Sequence, residues 1–401
     1  MSIAYIQERK YLFLFVFIIF CMLMYKIQHT FLYHSTLPVF KQYEIWKWLK
    51  KPTIIVNKFE ETSKFYDPIH VSTVSVTDVE NIQQEIKDYC IELRNHFLSK
   101  CQQLNYIYHP TLGYISSLHK IGAFMSTCKV NQTVVSRIFS RPLLLCMYRE
   151  KLESHEEYKI QFNDFICTKP SFRKKQYTQR IIYTHMANIC NQSNKANHEN
   201  KIFIAKYENR LLPLIPFVSY FSYAYNLTFI HGKLEQNDIT PVIISKLNKK
   251  NIHLYYSFLL YLKKSKLFRV FLHTSIDQMK YLVEQNIILI YVLHHKDTIY
   301  AMYVFHNPHM KYKNMNMIEC ISSVRHSKCD DALFYDTFVY VLKQLRETQY
   351  FMLILECVSH NLCLQKSLET DVHSIYSYPV TFNMVNYQQI PYYPKDCFFI
   401  L

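Results

Sequence analysis

The sequence of residues 165–178 is Phe165-Ile166-Cys167-Thr168-Lys169-Pro170-Ser171-Phe172-Arg173-Lys174-Lys175-Gln176-Tyr177-Thr178. It predicts an apolar strand that breaks into a basic turn and continues as a helix. A strand that ends beside a helix N-terminus leaves unpaired backbone N–H groups and the positive end of the helix dipole. The three cations of the turn add to that charge. The stretch therefore predicts a pyrophosphate site, and the alternative is a solvated basic turn.

The helix is expected to run from about Gln176 to Cys190, because apolar and aromatic-ring residues recur there at helical spacing. These residues are Ile181, Ile182, His185, Met186 and Ile189. A helix with one such face can pack on a sheet.

Residues 165–178 resemble the signature of the N-myristoyltransferases, a family that moves a fourteen-carbon acyl chain from coenzyme A to the N-terminal glycine of a protein. Further segments resemble the family in the same order along the chain, from about residue 40 to the end. They are Tyr43-Glu44-Ile45-Trp46 with Pro52, then residues 76–79, 89–97, 104–110, 202–207, 213–216, 251–262, 275–283, 330–345 and 351–356.

The resemblance implies an α/β fold of two tandem acetyltransferase-like (GNAT-type) lobes, related by a pseudo-twofold and preceded by an N-terminal apolar helix. Residues 1–39 are expected to form that helix and a linker. Residues 40–235 are expected to form the lobe that binds acyl-CoA. Residues 236–401 are expected to form the lobe that binds the peptide and ends in the catalytic C-terminus.

The implied activity is that of a glycylpeptide N-tetradecanoyltransferase, in which the glycine amine attacks the thioester directly. The terminal carboxylate of Leu401 is the implied base, and burial would raise its pKa toward the working pH. The backbone N–H groups of Phe165 and Ile166 are the implied oxyanion hole. Without the resemblance, the terminal Phe398-Phe399-Ile400-Leu401 is more simply an edge strand that closes a sheet.

The resemblance also implies which residues contact acyl-CoA. They are Tyr43, Trp46, Phe165, Ile166, Cys167, Thr168, Arg173, Lys174, Lys175, Gln176, Tyr177 and Thr178. Myristoyl-CoA is the expected co-substrate and glycine-initiated protein N-termini are the expected acceptors. No prosthetic group is expected, and the protein is expected to be a monomer.

Departures from the family leave other functions open. The chain has 3 glycines in 401 residues, whereas average usage of about 7% would give roughly 28. Residues 221–228 replace a basic segment beside the family's substrate channel. The alternatives are a catalytically inactive relative that binds acyl-CoA or an acylated peptide, and a related amine N-acyltransferase of another chain length.

The composition and short motifs indicate which other partners and sites are expected. The net charge of +15 and the pI of about 9.1 suit coenzyme A phosphates, anionic membranes and RNA alike. No nucleic-acid motif accompanies the charge, so no nucleic-acid partner is expected. The 12 cysteines lie singly, which predicts reduced thiols. His306-Asn307-Pro308-His309 has ligand-like spacing, but it lacks partner cysteines and no metal is expected.

Residues 11–25 form an uncharged apolar run that basic residues flank. A bilayer core needs about 17–25 residues, and a snorkelling lysine can extend a short run. We therefore expect a single-pass membrane anchor at residues 11–27, with the bulk of the chain cytosolic because more positive residues follow the run than precede it. A cleaved signal peptide is the rival, but no small-residue cleavage site follows.

Overall fold

The computed structural model of the protein describes residues 14–23, 25–26, 32–41, 44–76, 83–101, 106–108, 114, 122–149, 154–192, 201–208, 214–230, 242–296 and 298–400. The longer helices are α1 (Gln83–Cys101), α2 (Tyr177–Gln192), α3 (His253–Ser265), α4 (Ile276–Glu284), α5 (Asp331–Glu347) and α6 (Asn361–Asp371).

The strands of the first part of the chain are β1 (Thr53–Ile54), β2 (Val71–Val76), β3 (Tyr106–Tyr108), β4 (Ala123–Val130), β5 (Thr133–Arg149), β6 (Ser154–Thr168), β7 (Phe203–Glu208) and β8 (Val218–Asn226). Those of the second part are β9 (Ile243–Lys246), β10 (Val270–His273), β11 (Ile288–His295), β12 (Thr298–His306), β13 (Met310–Tyr312), β14 (Met315–Arg325), β15 (Tyr350–Glu356), β16 (Tyr376–Val385), β17 (Tyr387–Gln388) and β18 (Cys397–Ile400).

Most of these strands belong to one large mixed sheet, which confirms the expected α/β class. Its main path is β18-β10-β5-β6-β7-β16-β8-β15-β14-β12-β11-β9. β4 pairs with both β2 and β5, and β13 pairs with both β3 and β14. Between β6 and β8, the strands β7 and β16 join the first part of the sheet to the second.

One arrangement of strands occurs twice along the chain. In the first part, β2, β4, β5 and β6 are antiparallel neighbours, and α2 then crosses over to β7, which is parallel to β6. In the second part, β9, β11, β12 and β14 are antiparallel neighbours, and α5 crosses over to the parallel strand β15. A helical crossover is the connection that a parallel pair needs. The pseudo-twofold and the lobe boundaries remain predictions.

Helix α2 forms close to the expected range and packs by its apolar face. Ile181, Met186 and Ile189 are buried on that face. The chain before β2 covers the helix, since Phe59 and Phe65 belong to the same apolar cluster. The ring of Phe59 meets that of Tyr183 edge-on at 5.6 Å. The helix is thus fixed between the sheet and the N-terminal part of the chain.

The expected single-pass anchor at residues 11–27 is wrong. Among the residues that the structure describes, no helix is both long enough and apolar enough to cross a membrane.

Candidate active site

A β-bulge interrupts the ladder between β5 and β6 where the apolar signature begins. Arg137 pairs with Cys167 and Phe139 pairs with Asp164, so that Phe165 and Ile166 together oppose one residue of β5. Such a bulge turns the backbone out of the ladder and is common beside active sites.

Phe165 is held in a costly conformation at this bulge. Its φ of +50° lies in the left-handed region, which bulky side chains rarely adopt. Strain of this kind persists where the surrounding structure imposes it, and it concentrates at functional sites. Asp164, Phe165 and Ile166 are partly exposed, whereas Asn163 and Cys167 on either side are buried. The bulge is therefore partly accessible to solvent.

The N–H group of Phe165 is already engaged by a carboxylate. It donates to Oδ1 of Asp164 at 2.9 Å. Nε of Arg141 lies 3.6 Å from Oδ2 of the same carboxylate. Burial raises the pKa of Asp164, and the charge of Arg141 only partly opposes this. Sequence reasoning missed Asp164, although an acidic residue inside an otherwise apolar strand end is a signal that could have found it.

A chain of hydrogen-bonded polar side chains lies beside the bulge, where the ring of Tyr114 is 6.1 Å from that of Phe165. Nδ1 of His306 is 2.8 Å from Oε2 of Glu319, and its Nε2 is 3.0 Å from the hydroxyl of Tyr114. The ring of Tyr114 lies 4.5 Å from that of His309, centroid to centroid. These contacts join β12 and β14 to Tyr114.

A buried ion pair between β7 and β15 extends the polar region. Lys206 is bonded to Glu356, and its Nζ also lies 2.9 Å from Oε1 of Glu208. The hydroxyl of Tyr220 donates to Glu356 at 2.8 Å. Burial disfavours the charged form of Lys206, but the charges of Glu356, Glu208 and Glu319 outweigh it and hold its pKa well above the usual value.

The pKa values of Glu356 and Glu319 are shifted in opposite directions. Burial raises the pKa of Glu356, although Lys206 opposes the shift. Burial acts on Glu319 in the same direction, but the hydrogen bond from His306 and the charge of Lys206 outweigh it and lower the pKa. The region thus holds one carboxylate that is stabilised in its charged form and another that is not.

The basic turn lies between the bulge and α2. Residues Pro170–Phe172 form one turn of 3₁₀-helix, and Lys174 and Gln176 have φ of +64° and +65°. The first turn of α2 contains no acidic residue. Lys174 and Lys175 are exposed, and among the described residues neither forms an ion pair. The helix start is therefore electropositive.

Hydroxyl groups tie the end of β6 to the start of α2. Oγ1 of Thr168 lies 2.8 Å from Oγ of Ser136 and 2.8 Å from Oγ1 of Thr178. Nε of Arg173 donates to the carbonyl oxygen of Thr168 at 3.3 Å. These bonds position Thr168, Arg173 and Thr178, three of the residues expected at the pyrophosphate.

Aromatic rings support the rest of the turn. The rings of Phe172 and Tyr177 meet edge-on at 5.8 Å, and the ammonium of Lys175 lies 5.3 Å from the Phe172 ring centroid. Cys167 is buried below the turn, and its thiol lies 3.6 Å from the carbonyl oxygen of Glu92. The predicted residues 165–168 and 173–178 thus follow one another from the end of β6 through the basic turn into the start of α2.

The remaining predicted site residues are Tyr43, Trp46 and Leu401. Trp46 is 79% exposed in the 3₁₀ turn Ile45–Leu49, where the carbonyl of Lys47 accepts a hydrogen bond from Gln388. Tyr43 and Leu401 lie outside the described residues, so the assignment of Leu401 as base stays a prediction.

The strand that leads to Leu401 is fully buried. Strand β18 is parallel to β10, which is antiparallel to β5, which is antiparallel to β6, so β18 and β6 run in the same direction. The N–H group of Phe399 donates to Oγ of Ser322 at 3.1 Å. Ile400 belongs to the apolar cluster against which Phe165 packs.

A separate cavity of about 700 Å³ lies at the opposite ends of β5 and β6. Tyr148, Arg149, Glu156 and Tyr392 are among its lining residues. Its main polar groups bond to one another, since Arg149 Nε lies 2.8 Å from Glu156. It contains none of the predicted site residues, and the bulge remains the candidate site.

Comparison with solved structures shows where this architecture occurs. The chain is similar to a Saccharomyces cerevisiae N-myristoyltransferase with bound myristoyl-CoA, with a TM-score of 0.67 and 13% identity over 90% of this chain and 94% of that one. A second structure of that enzyme with myristoyl-CoA has a TM-score of 0.66 and 13% identity over 90% of this chain and 89% of that one. A third, with myristoyl-CoA and inhibitors, has a TM-score of 0.65 and 14% identity over 90% of each chain.

The likeness lies in the fold and not in the sequence. No protein-family model matches the chain, and no curated protein matches it in sequence. The predicted resemblance to N-myristoyltransferases, as a divergent relative, is confirmed at the level of the fold.

Proposed function

We propose that the protein is an acyl-CoA-dependent N-acyltransferase. The observation that carries the proposal is the strained bulge at Phe165, followed by an electropositive start of α2, in a chain with the N-myristoyltransferase fold. A bulge presents backbone donors, and a helix N-terminus without acidic residues suits the phosphates of a coenzyme A ester.

The more specific proposal is transfer of a myristoyl group from myristoyl-CoA to an N-terminal glycine. The pyrophosphate would bind at residues 173–178, and the thioester oxygen would meet the N–H groups of Phe165 and Ile166. Donors that are fixed before the reaction stabilise the charge that develops on this oxygen. The amide bond forms as the tetrahedral intermediate expels the thiolate of coenzyme A, and the thiolate takes up the second proton, which the attacking nitrogen loses as it becomes an amide.

The base in this proposal is the terminal carboxylate of Leu401. It would remove one proton from the substrate ammonium, which leaves a neutral amine to attack the thioester carbon. The burial of β18 and its direction, parallel to β6, support this role. The membership of Ile400 in the apolar cluster next to Phe165 supports it further.

A non-catalytic relative that binds acyl-CoA is the second candidate. It is favoured by the carboxylate of Asp164, which occupies the Phe165 N–H group, and by the apolar and aromatic residues that replace a basic segment at 221–228. An amine N-acyltransferase for another chain length is the third. It would share the bulge and the basic turn.

The test is transfer of labelled acyl groups from acetyl-, octanoyl- and myristoyl-CoA to a panel of glycine-initiated peptides. The full chain is compared with a chain extended by two residues after Leu401. Transfer of myristate by the first and not by the second supports the terminal base. Tight myristoyl-CoA binding without transfer supports the non-catalytic candidate, and the absence of any acyl-CoA binding contradicts both.

A further inference from the structure

The cavity at the far ends of β5 and β6 has the size of a ligand pocket. Its volume is about 700 Å³, and pockets for small molecules and cofactors measure about 300–1,000 Å³. Glu156 belongs to its lining and precedes Phe165 by nine residues in β6. At about 3.3 Å per strand residue, the cavity lies about 30 Å from the bulge. It is therefore separate from the proposed acyl-transfer site.

Segments that are distant in sequence form the cavity, and backbone hydrogen bonds hold them together. The N–H group of Tyr148, at the end of β5, donates to the carbonyl oxygen of Arg269 at 2.7 Å. The N–H group of Arg269 donates to the carbonyl oxygen of Asp396 at 2.8 Å, and that of Tyr392 donates to the carbonyl oxygen of Phe217 at 2.9 Å. The walls are therefore formed before a ligand binds, which lowers the cost of ordering them.

Aromatic rings line the cavity. Its tyrosines are Tyr148, Tyr158, Tyr392 and Tyr393. Ammonium groups lie beside two of these rings, since Nζ of Lys266 is 5.2 Å from the Tyr148 ring centroid and Nζ of Lys395 is 6.0 Å from that of Tyr393. A planar group of a ligand can stack on tyrosine rings. The walls thus suit a ligand that contains an aromatic ring.

The cavity carries an excess of positive charge. Lys51, Arg149 and Arg269 line it, together with the two carboxylates of Glu156 and Asp396. The two ammonium groups beside the tyrosine rings raise the excess to three positive charges. Lys51 is exposed and forms no ion pair among the described residues. A phosphate monoester carries a charge of about −1.5 to −2 at pH 7 and matches this excess better than the single charge of a carboxylate.

Two guanidinium groups lie near one hydroxyl group of the lining. Arg149 is held in place, because its Nε donates to Glu156 at 2.8 Å and its Nη2 donates to the hydroxyl of Tyr387 at 2.9 Å. Burial raises the pKa of Tyr392, and the charges of Arg149 and Arg269 oppose this shift. Both arginines therefore act on the Tyr392 hydroxyl. Guanidinium groups bind phosphate through paired N–H···O bonds, so a phosphate is expected at this point.

We infer that this cavity is a second ligand site, which binds a phosphate ester with a planar aromatic group, the chemistry of a nucleotide. The phosphate would bind Arg149, Arg269 and Lys51, and the base would stack on the tyrosine rings. Stacking on aromatic side chains accepts any base. The nucleotide is either free or the nucleotide part of a coenzyme A molecule, and the inference does not depend on acyl transfer at the bulge.

The first test is calorimetric titration of the full chain with AMP, adenosine and ribose 5-phosphate. We expect AMP to bind at least about tenfold more tightly than either of the others, because each of them lacks one of the two recognised groups. Failure of AMP to bind, or affinity for adenosine or ribose 5-phosphate equal to that for AMP, would overturn the inference. This comparison uses the wild-type protein and does not depend on the folding of a variant.

A double variant locates the site. Lys51→Gln with Tyr393→Ala changes two exposed side chains, since Lys51 is exposed and Tyr393 is 71% exposed. It should weaken AMP binding by about tenfold or more. The matched control is Lys250→Gln with Phe229→Ala, at exposed positions outside the cavity lining, and it should bind AMP like the wild type. Equal AMP affinity in the Lys51 and Tyr393 double variant and the wild type would overturn the inference.

A last comparison separates the cavity from the proposed acyl-CoA site. Replacing Arg173, Lys174 and Lys175 together by Gln should leave AMP binding unchanged, and a loss of AMP affinity in this variant alone would overturn the inference. In the same variant, binding of adenosine 3′,5′-bisphosphate that is tighter than that of AMP supports the nucleotide part of coenzyme A as the ligand, and weaker binding supports a free nucleotide. Failure of the wild type to bind myristoyl-CoA would contradict the proposed function alone.

Discussion

Two helical crossovers have the same connectivity and differ in what surrounds the start of the helix. One runs from β6 through α2 to β7, and the other from β14 through α5 to β15. Each follows an antiparallel series of strands and joins a parallel pair. Each is preceded by an irregularity in the ladder, at Phe165 and Ile166 in β6 and at Ile321 in β14. Because the backbone arrangement is the same, the two crossovers can be compared by the charge at the helix start and by the exposure of the bulge.

The starts of the two helices differ in charge. Asp330 caps α5, since its Oδ1 accepts the N–H of Leu333 at 2.7 Å. Asp331 follows in the first turn and pairs with Arg325 at 2.9 Å. The first turn of α2 has no acidic residue, and Lys174 and Lys175 precede it. The start of α5 is satisfied by its own chain, whereas the start of α2 suits an anion.

The two bulges differ in the same way. Ile321 is buried, and β18 lies next to it, with the Phe399 N–H group bonded to Ser322. Phe165 has a positive φ and is partly exposed. The second bulge is completed by a strand of the protein, and the first would bind a ligand under the proposed function. On that proposal, one supersecondary arrangement serves for structure at one place and for binding at the other.

The largest expected effect comes from the strand that fills the second bulge. Phe398 is fully buried and stacks on Phe268 at 5.4 Å. Phe398→Ala should lower the free energy of unfolding by about 3–5 kcal/mol, measured by urea denaturation. Trp46→Ala, at an exposed site, should change it by less than about 0.5 kcal/mol. Similar values for the two variants would show that β18 is not part of the core.

The second-largest effect should appear at the basic turn before α2. Replacing Arg173, Lys174 and Lys175 together by Gln should weaken myristoyl-CoA binding by roughly 30-fold, which corresponds to about 2 kcal/mol. The melting temperature should change little. The control replaces three exposed lysines elsewhere, Lys249, Lys250 and Lys296, which removes the same net charge. If the control weakens binding equally, the general charge of the protein and not the turn attracts the ligand.

Acid should weaken both parts of the molecule, because each contains an imidazole whose burial, full in His185 and partial in His360, disfavours its charged form. Burial lowers the pKa of His185 in α2 to about 3 and that of His360, before α6, to about 4, from an ordinary value of 6.5. Below pH 6.5 the unfolded chain binds protons that the folded chain does not. The contribution is therefore complete above pH 6.5 and declines as the pH falls toward these values, on the order of 1 kcal/mol per pH unit for each imidazole.

The matching variant is His185→Gln. Its free energy of unfolding should fall less steeply with pH between 6.5 and 5 than that of the wild type, in parallel urea titrations. An identical slope for the two proteins would mean that His185 takes up its proton normally in the folded state.

The smallest effect concerns Asp330, the N-cap of α5 in the second crossover. Asp330→Ala should lower the free energy of unfolding by about 1 kcal/mol, since it removes an N-cap acceptor. Myristoyl-CoA affinity should not change. Ser275→Ala, which removes the cap of α4, should behave in the same way. A loss of acyl-CoA affinity in Asp330→Ala would show that the second crossover also takes part in binding.

Sequence alone predicted the elements that depend on local order. The strand that ends near Thr168, the basic turn and α2 follow one another along the chain, and their hydrophobic spacing indicated each of them. The resemblance to N-myristoyltransferases rested on such segments. The roles of all the predicted site residues, including Tyr43 and Leu401, stay predictions.

The polar interior could not be predicted in this way. Lys206 and Glu356 are separated by 150 positions, and they meet because β16 and β8 hold β7 and β15 in one sheet. The hydrogen bond between Asp164 and Phe165 depends on a bulge, which hydrophobic spacing does not reveal. The membrane anchor was inferred from the apolar composition of residues 11–27 alone, and in the described part of the chain no helix is both long enough and apolar enough to span a bilayer.

The most direct test of the account is a crystal structure of the protein with a ketone analogue of myristoyl-CoA, which keeps the carbonyl oxygen and does not react. We predict the carbonyl oxygen beside the Phe165 and Ile166 N–H groups and the pyrophosphate at residues 173–178. A ligand that binds at the start of α5, or a carbonyl oxygen far from the bulge, would contradict the account.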